Sequence, residues 1–116
     1  MNMQDSAAFI AAYLECAAWA DGHEEQTERA NNGEFTSEAQ ARAQVECKAF
    51  MYRALPYMQA WTPEQAGHDF WLTRNGHGSG FWDRQLEGGD VLTAIAKTFG
   101  ELGVYVPDDS ECLDFA

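Results

Sequence analysis

Apolar positions gather first in Ala7-Ala8-Phe9-Ile10-Ala11-Ala12-Tyr13-Leu14, and Cys16, Ala17, Ala18 and Trp19 continue the run with only Glu15 polar. This predicts a helix from about residue 6 to residue 20, apolar on nearly every face and so covered from more than one side. Asp5 or Ser6 is placed to cap it and Asp21-Gly22 to end it. Its alanines allow close approach by neighbours, with Phe9, Tyr13 and Trp19 supplying the large contact areas. A second stripe, Cys47, Phe50, Met51, Ala54, Leu55, Met58 and Trp61, recurs at spacings of three and four, and predicts a helix facing the first. Ser37 with Gln40 has capping-box spacing at its start. Glu38, Arg42 and Glu46 follow at intervals of four and give weak surface pairs. Pro56 has no N–H for the carbonyl of Tyr52, so this helix kinks or breaks near Leu55.

Thr62-Pro63-Glu64-Gln65 is a strong helix start, a capping threonine followed by proline at the first helical position. The third helix runs to about Thr73, with Asn75 or Gly76 ending it and Gly67, Phe70 and Trp71 turned inward. Gly76-His77-Gly78-Ser79-Gly80 reads as a tight reversal, from which Phe81-Trp82 returns to the core. Asp90 caps a fourth helix, Val91 to Phe99, with Leu92, Ile95, Ala96 and Phe99 on one face. Gly100 and Gly103 end it. Val104-Tyr105-Val106 is the clear strand signal, and Glu111 to Phe115 pairs back across the Pro107-Asp108-Asp109-Ser110 turn. The expected fold is mainly α, about four helices with a small C-terminal β-hairpin, in one compact α+β domain spanning residues 1–116. Within it, residues 1–61 form a helical half and residues 62–110 a distinct block. The polar stretch before Phe35 contains His23, Glu24, Glu25, Glu28 and Asn31-Asn32-Gly33, and is long for a connection in a small domain. It is either a solvated linker or an acidic contact loop.

Composition changes the picture chiefly through charge. The formal net charge is −12, and it is concentrated at the ends. Residues 1–28 hold six acids and no base, residues 98–116 hold five acids and no base, and residues 29–97 are close to neutral. Such ends repel phosphate backbones and anionic lipid, which excludes direct nucleic-acid and membrane binding and favours a partner with a basic surface. Solubility alone is the plainer reason for an acidic surface. No apolar run reaches the ~18 residues needed to span a bilayer, and the first basic residue is Arg29. A cytosolic chain with Cys16, Cys47 and Cys112 as reduced thiols is expected, without the spacing of a thiolate zinc site.

Candidate chemistry is confined to the central block. His68, Asp69, His77 and Asp83 are residue types from which a metal or acid–base site is made, and with Arg74 they define an enzyme reading. His68 and His77 are nine apart across a helix break, so no HExxH pattern is present. Ser79 lies between glycines but lacks the strand-to-helix elbow of a nucleophile motif. The glycine reversal with Arg74 offers a phosphate site through exposed amides, without matching a P-loop. The structural alternative is a knot of Phe70, Trp71, Phe81 and Trp82, with His68, Asn75 and His77 satisfying backbone groups of a buried loop. Asp69 with Arg74, and Asp83 with Arg84, are expected to pair across the reversal.

The block His68-Asp69-Phe70-Trp71-Leu72-Thr73-Arg74-Asn75-Gly76-His77-Gly78 with Gly80-Phe81-Trp82-Asp83-Arg84, continued by Leu92, Ala96, Lys97, Gly100 and Val104-Tyr105-Val106-Pro107-Asp108-Asp109, resembles a family of small acidic proteins of tailed bacteriophages. The resemblance covers about residues 60–110 and implies a phage accessory protein in the cytoplasm of an infected bacterium. It carries no assigned activity. The expected function is a non-enzymatic inhibitor of a host defence complex, of the anti-CRISPR or anti-restriction kind, that mimics DNA in charge. Asp21, Glu24, Glu25, Glu28, Asp108, Asp109, Glu111 and Asp114 would contact a basic, nucleic-acid-handling surface, with no cofactor. A phage assembly protein is a further alternative.

Overall fold

The first apolar run becomes helix α1 (Ser6–Asp21) in the computed structural model, which describes residues 1–22 and 34–116. It starts where expected, with Asp5 in the N-cap position, but the Asp5 side chain makes no capping bond to it. A 3-10 turn over Met3–Asp5 precedes it. There the Asn2 side chain accepts from Gln4 N at 2.8 Å, and Asp5 accepts from Asn2 N at 2.9 Å. Phe9, Ile10, Ala12, Tyr13, Cys16 and Ala17 are buried. Ala7, Ala11, Glu15 and Trp19 form an exposed stripe. Trp19 is 75% exposed, not the core contact expected of it. It lies one turn beyond Glu15 on the same face, and that polar position marks the outward side.

Helix α2 (Ser37–Ala54) is capped by Thr36, whose Oγ1 accepts from Ala39 N at 3.1 Å. Ser37 is the first helical residue instead, and the Gln40 amide donates to the Phe35 carbonyl at 2.9 Å. Cys47, Phe50, Met51 and Ala54 are buried along it, and Leu55 only partly. At Pro56 the helix gives way to a 3-10 turn over Leu55–Tyr57, as the missing donor requires. Helix α3 (Pro63–Arg74) starts where its cap predicts, with Thr62 Oγ1 accepting from Gln65 N at 3.1 Å. Helix α4 (Gly89–Lys97) begins one residue before Asp90, so Gly88 and not Asp90 is its N-cap.

The C-terminal segment forms β1 (Val104–Tyr105) and β2 (Asp114–Phe115), antiparallel, with Val104 opposite Phe115 and Tyr105 opposite Asp114. Two strands this short are marginal alone. The chain before α2 supports them: Thr36 N donates to Leu113 O at 2.8 Å and Leu113 N to Glu34 O at 2.7 Å. The fold is therefore mostly helical, four helices and one small hairpin among the described residues.

The core is aromatic. Phe50 stacks on Phe70 at 4.2 Å and on Phe81 at 5.6 Å, while Tyr13 stacks on Phe70 at 5.2 Å. Each such ring contributes about 1.5–3 kcal/mol by leaving water. Helices α1 and α3 form the most intimate pair. Gly67 makes this possible, because a Cβ there would collide with the carbonyl oxygen of Phe9 and press on Ala12. Helix α3 is thus held at backbone distance from α1, which positions every polar side chain of the central block.

Candidate functional site

Along α3 and the turn after it, the polar residues of the block are held by different parts of the fold. Asp69 is fully buried. Its carboxylate accepts from Trp61 Nε1 at 2.9 Å, from Gln65 Nε2 at 3.0 Å, and from Arg84 Nη2 at 2.7 Å. Arg84 Nε adds 3.2 Å contacts to both oxygens, a bidentate grip. These hydrogen bonds to Asp69 raise the Arg84 pKa above its ordinary value. Arg74, 3% exposed, donates to the carbonyls of Gly100 at 2.9 Å and Phe99 at 3.0 Å, to the Tyr13 hydroxyl at 2.9 Å and to Glu46 at 3.1 Å. Its guanidinium also lies over the rings of Phe70 and Phe99. It therefore sits just past the C-terminal end of α4, on the carbonyls of the two residues after its C-cap, where a cation is favoured.

The expected pairs Asp69–Arg74 and Asp83–Arg84 are replaced by Asp69–Arg84 and Arg74–Glu46. The reason is geometric. Residues five apart on a helix point about 140° away from each other, whereas neighbours lie three or four apart. Arg74 is consequently not available to a phosphate at the glycine reversal.

The aromatic knot also forms differently. Phe70 and Phe81 meet through Phe50, but Trp71 lies on another side of α3, edge-on to Tyr13 at 5.3 Å and near Phe115 at 5.6 Å. Trp82 stays outside, 48% exposed. Adjacent residues on a helix are about 100° apart, so Phe70 and Trp71 enter the same buried cluster from different sides, bridged by Tyr13, which stacks on Phe70 and meets Trp71 edge-on. The backbone-satisfying role falls to Asn75 and Thr73. Asn75 Oδ1 accepts from Leu102 N at 2.7 Å and its amide donates to Trp71 O at 3.1 Å. Thr73 Oγ1 accepts from Phe81 N at 3.1 Å. The imidazoles do other things: His68 packs its ring against Trp19 at 6.1 Å, and His77 Nε2 lies 2.8 Å from Asp21 Oδ2.

His68, Asp69, His77 and Asp83 are therefore not brought together: one packs on Trp19, one is enclosed by Trp61 and Arg84, one reaches Asp21 and one faces solvent. Among the described residues no three His, Cys, Asp or Glu side chains are grouped to hold a metal ion. A shallow groove of about 480 Å³ lies beside His77, lined by Trp19, Ala20, Leu72, Gly78 and Ser79. Cys16 and Cys47 are buried, and burial pushes the Cys16 thiol up to about 12 and the Cys47 thiol well above its ordinary range. Thiols so protonated are poor nucleophiles.

The acidic residues divide into engaged and free. Asp21 Oδ2 accepts from Trp71 Nε1 at 2.6 Å besides contacting His77, so its carboxylate ties the end of α1 to α3. Asp114 is half-buried and accepts from Phe115 N at 2.8 Å. Asp108, Asp109 and Glu111 are exposed, and among the described residues none of them is in a salt bridge. Glu24, Glu25 and Glu28 lie outside the described residues. The expected Arg42–Glu46 pair forms at 3.2 Å, but sequence reasoning missed that Glu46 also accepts from Arg74 and that Trp61 is a polar partner. Trp61 reads as an apolar core position, and its indole N–H is visible only as a donor that burial obliges to find an acceptor. Comparison of the chain with protein-family models, with curated proteins and with solved structures finds no match.

Proposed function

We propose that this protein is a phage-encoded, non-enzymatic inhibitor of a host defence complex, of the anti-CRISPR or anti-restriction kind, which covers a basic nucleic-acid-handling surface with carboxylates. The observation that carries the reading is the exposed, unpaired trio Asp108, Asp109 and Glu111 in a stretch of sequence that contains no base. Leu113 N donates to Glu34 O at 2.7 Å, which sets the exposed Glu34 beside the acidic tail. Negative charge on a partner of opposite sign accelerates encounter and repels nucleic acid that competes for the same surface. Asp21, taken up by Trp71 and His77, contributes to the fold before it contributes to contact.

The test is phage plating on bacteria that carry a CRISPR or a restriction system and express this chain. Protection of the phage is expected, reduced in Asp108→Asn/Asp109→Asn/Glu111→Gln and in Glu24→Gln/Glu25→Gln/Glu28→Gln. Equal protection by both charge-stripped variants, or none by the unaltered chain in any system, defeats the reading.

A further inference from the structure

The face built by residues 81–91 carries large apolar side chains that the fold leaves uncovered. Trp82, Leu86 and Val91 are 48%, 40% and 40% exposed. They line one groove of about 450 Å³. A second groove of about 310 Å³, lined by Pro56, Tyr57 and Ala60, shares Glu87 and Gly88 with it.

The backbone beneath this face is clamped. Phe81 is buried, Asp83 N donates to Gly80 O at 3.1 Å, and Gly89 N donates to Leu86 O at 3.2 Å. Gly88 has φ 97°, and a Cβ there would strike the carbonyl oxygen of Tyr57. The segment is thus pressed onto the turn after α2, with Phe81 turned inward and Trp82, Leu86 and Val91 left on the outer side. A tryptophan presented on a fixed backbone loses little freedom when a partner covers it, which is the physical basis of aromatic anchors at interfaces.

Glu87 and Asp90 line the groove, and Asp83 follows Trp82 in sequence. Asp83, Glu87 and Asp90 are exposed, and among the described residues none is in a salt bridge. The base within this segment, Arg84, is turned into Asp69. A second copy of the chain would bring the same three carboxylates against these, on a protein of net charge −12, and nucleic acid or anionic lipid is repelled for the same reason.

We propose that this face docks a basic segment of a partner protein, whose aliphatic or aromatic side chain seats against Trp82 and Leu86 while flanking lysines or arginines meet Asp83, Glu87 and Asp90. The site is separate in sequence from the terminal acids and stands independently of the inhibitor reading.

The experiment is a ¹⁵N NMR titration with short peptides that share a Leu-Trp-Leu centre and differ in their flanks, lysine, glutamate or serine. The lysine-flanked peptide is expected to move the Trp82 indole signal and the amides of Leu86, Glu87 and Val91, and to weaken with salt. Trp82→Ala and Asp83→Asn/Glu87→Gln/Asp90→Asn, both at exposed positions, should each lower its affinity about tenfold. Asp108→Asn/Asp109→Asn/Glu111→Gln should leave it unchanged. The proposal is overturned if the lysine peptide perturbs the terminal acids instead, if Trp82→Ala binds as well as the unaltered chain, or if raising protein concentration alone moves the same signals.

Discussion

Arg84 reaches from the turn after the glycine reversal to hold Asp69, contacting both carboxylate oxygens, with the shortest bond 2.7 Å. The carboxylate is wholly enclosed while the Arg84 side chain is 31% exposed. Removing the arginine leaves a buried charge with only neutral donors, Trp61 and Gln65. Arg84→Ala should cost about 2–3 kcal/mol, below the full range for a buried pair because water can reach the vacated side. Arg84→Lys should recover part of it, since an ammonium cannot reproduce the bidentate fork. Urea unfolding of both variants measures the difference.

Gly67→Ala and Gly78→Ala make a matched pair. The first places a methyl group into the Phe9 carbonyl, whereas the second meets nothing within 4 Å. We expect about 3 kcal/mol of destabilisation for Gly67→Ala, as α1 and α3 are forced apart. Gly78→Ala should change stability by less than about 1 kcal/mol, through the unfolded chain. Melting temperatures of the two variants settle the comparison. Similar losses would mean that helix contact at Gly67 is not what holds α3.

Asp21 separates an acceptor role from a charge role. Asp21→Ala strips the indole of Trp71, a buried residue, of its 2.6 Å acceptor and should cost about 1–3 kcal/mol. Asp21→Asn keeps an oxygen for that bond and should retain most of the stability. If the two variants unfold at the same urea concentration, the hydrogen bond is not the reason for this carboxylate.

Alkaline pH should destabilise the fold in a window defined by its thiols. Folded Cys16 stays protonated to about 12, and burial likewise raises Cys47. An unfolded thiol ionises near 8.5. Above that pH the unfolded chain binds fewer protons than the folded one, so stability is intact below about 8.5 and falls as pH rises toward 12. The slope should be about 1.4 kcal/mol per pH unit for each thiol. Burial also raises Tyr13, adding a further loss once an unfolded tyrosine ionises near 10. Guanidinium unfolding between pH 8 and 11 tests this, with Cys16→Ala expected to flatten the slope.

Much of the local structure was legible in the residues. Thr62-Pro63 started α3 as its capping chemistry requires, Pro56 ended α2, and Val104-Tyr105 paired with the chain before the C-terminus. These features depend on interactions within one turn, or on the loss of a single donor, and so can be read from neighbouring residues. The cap of α4 was misplaced by two residues, because Gly88 takes a left-handed conformation fitted to the Tyr57 carbonyl, a contact from elsewhere in the chain.

By itself, then, the sequence determined four helices, a reversal at the glycines, a terminal hairpin and strongly negative ends. Only the tertiary structure decided which charges meet, which tryptophans are covered, and that the histidines part company. Arg84 with Asp69 spans 15 residues, Arg74 with Glu46 spans 28, and Trp71 with Asp21 spans 50. Such pairings depend on how each helix is rotated about its axis. That rotation is set by Gly67 lying on Phe9 and by the stacked rings of Phe50, Phe70 and Phe81. Periodicity names the buried face of a helix, but the partner waiting across it is chosen by packing.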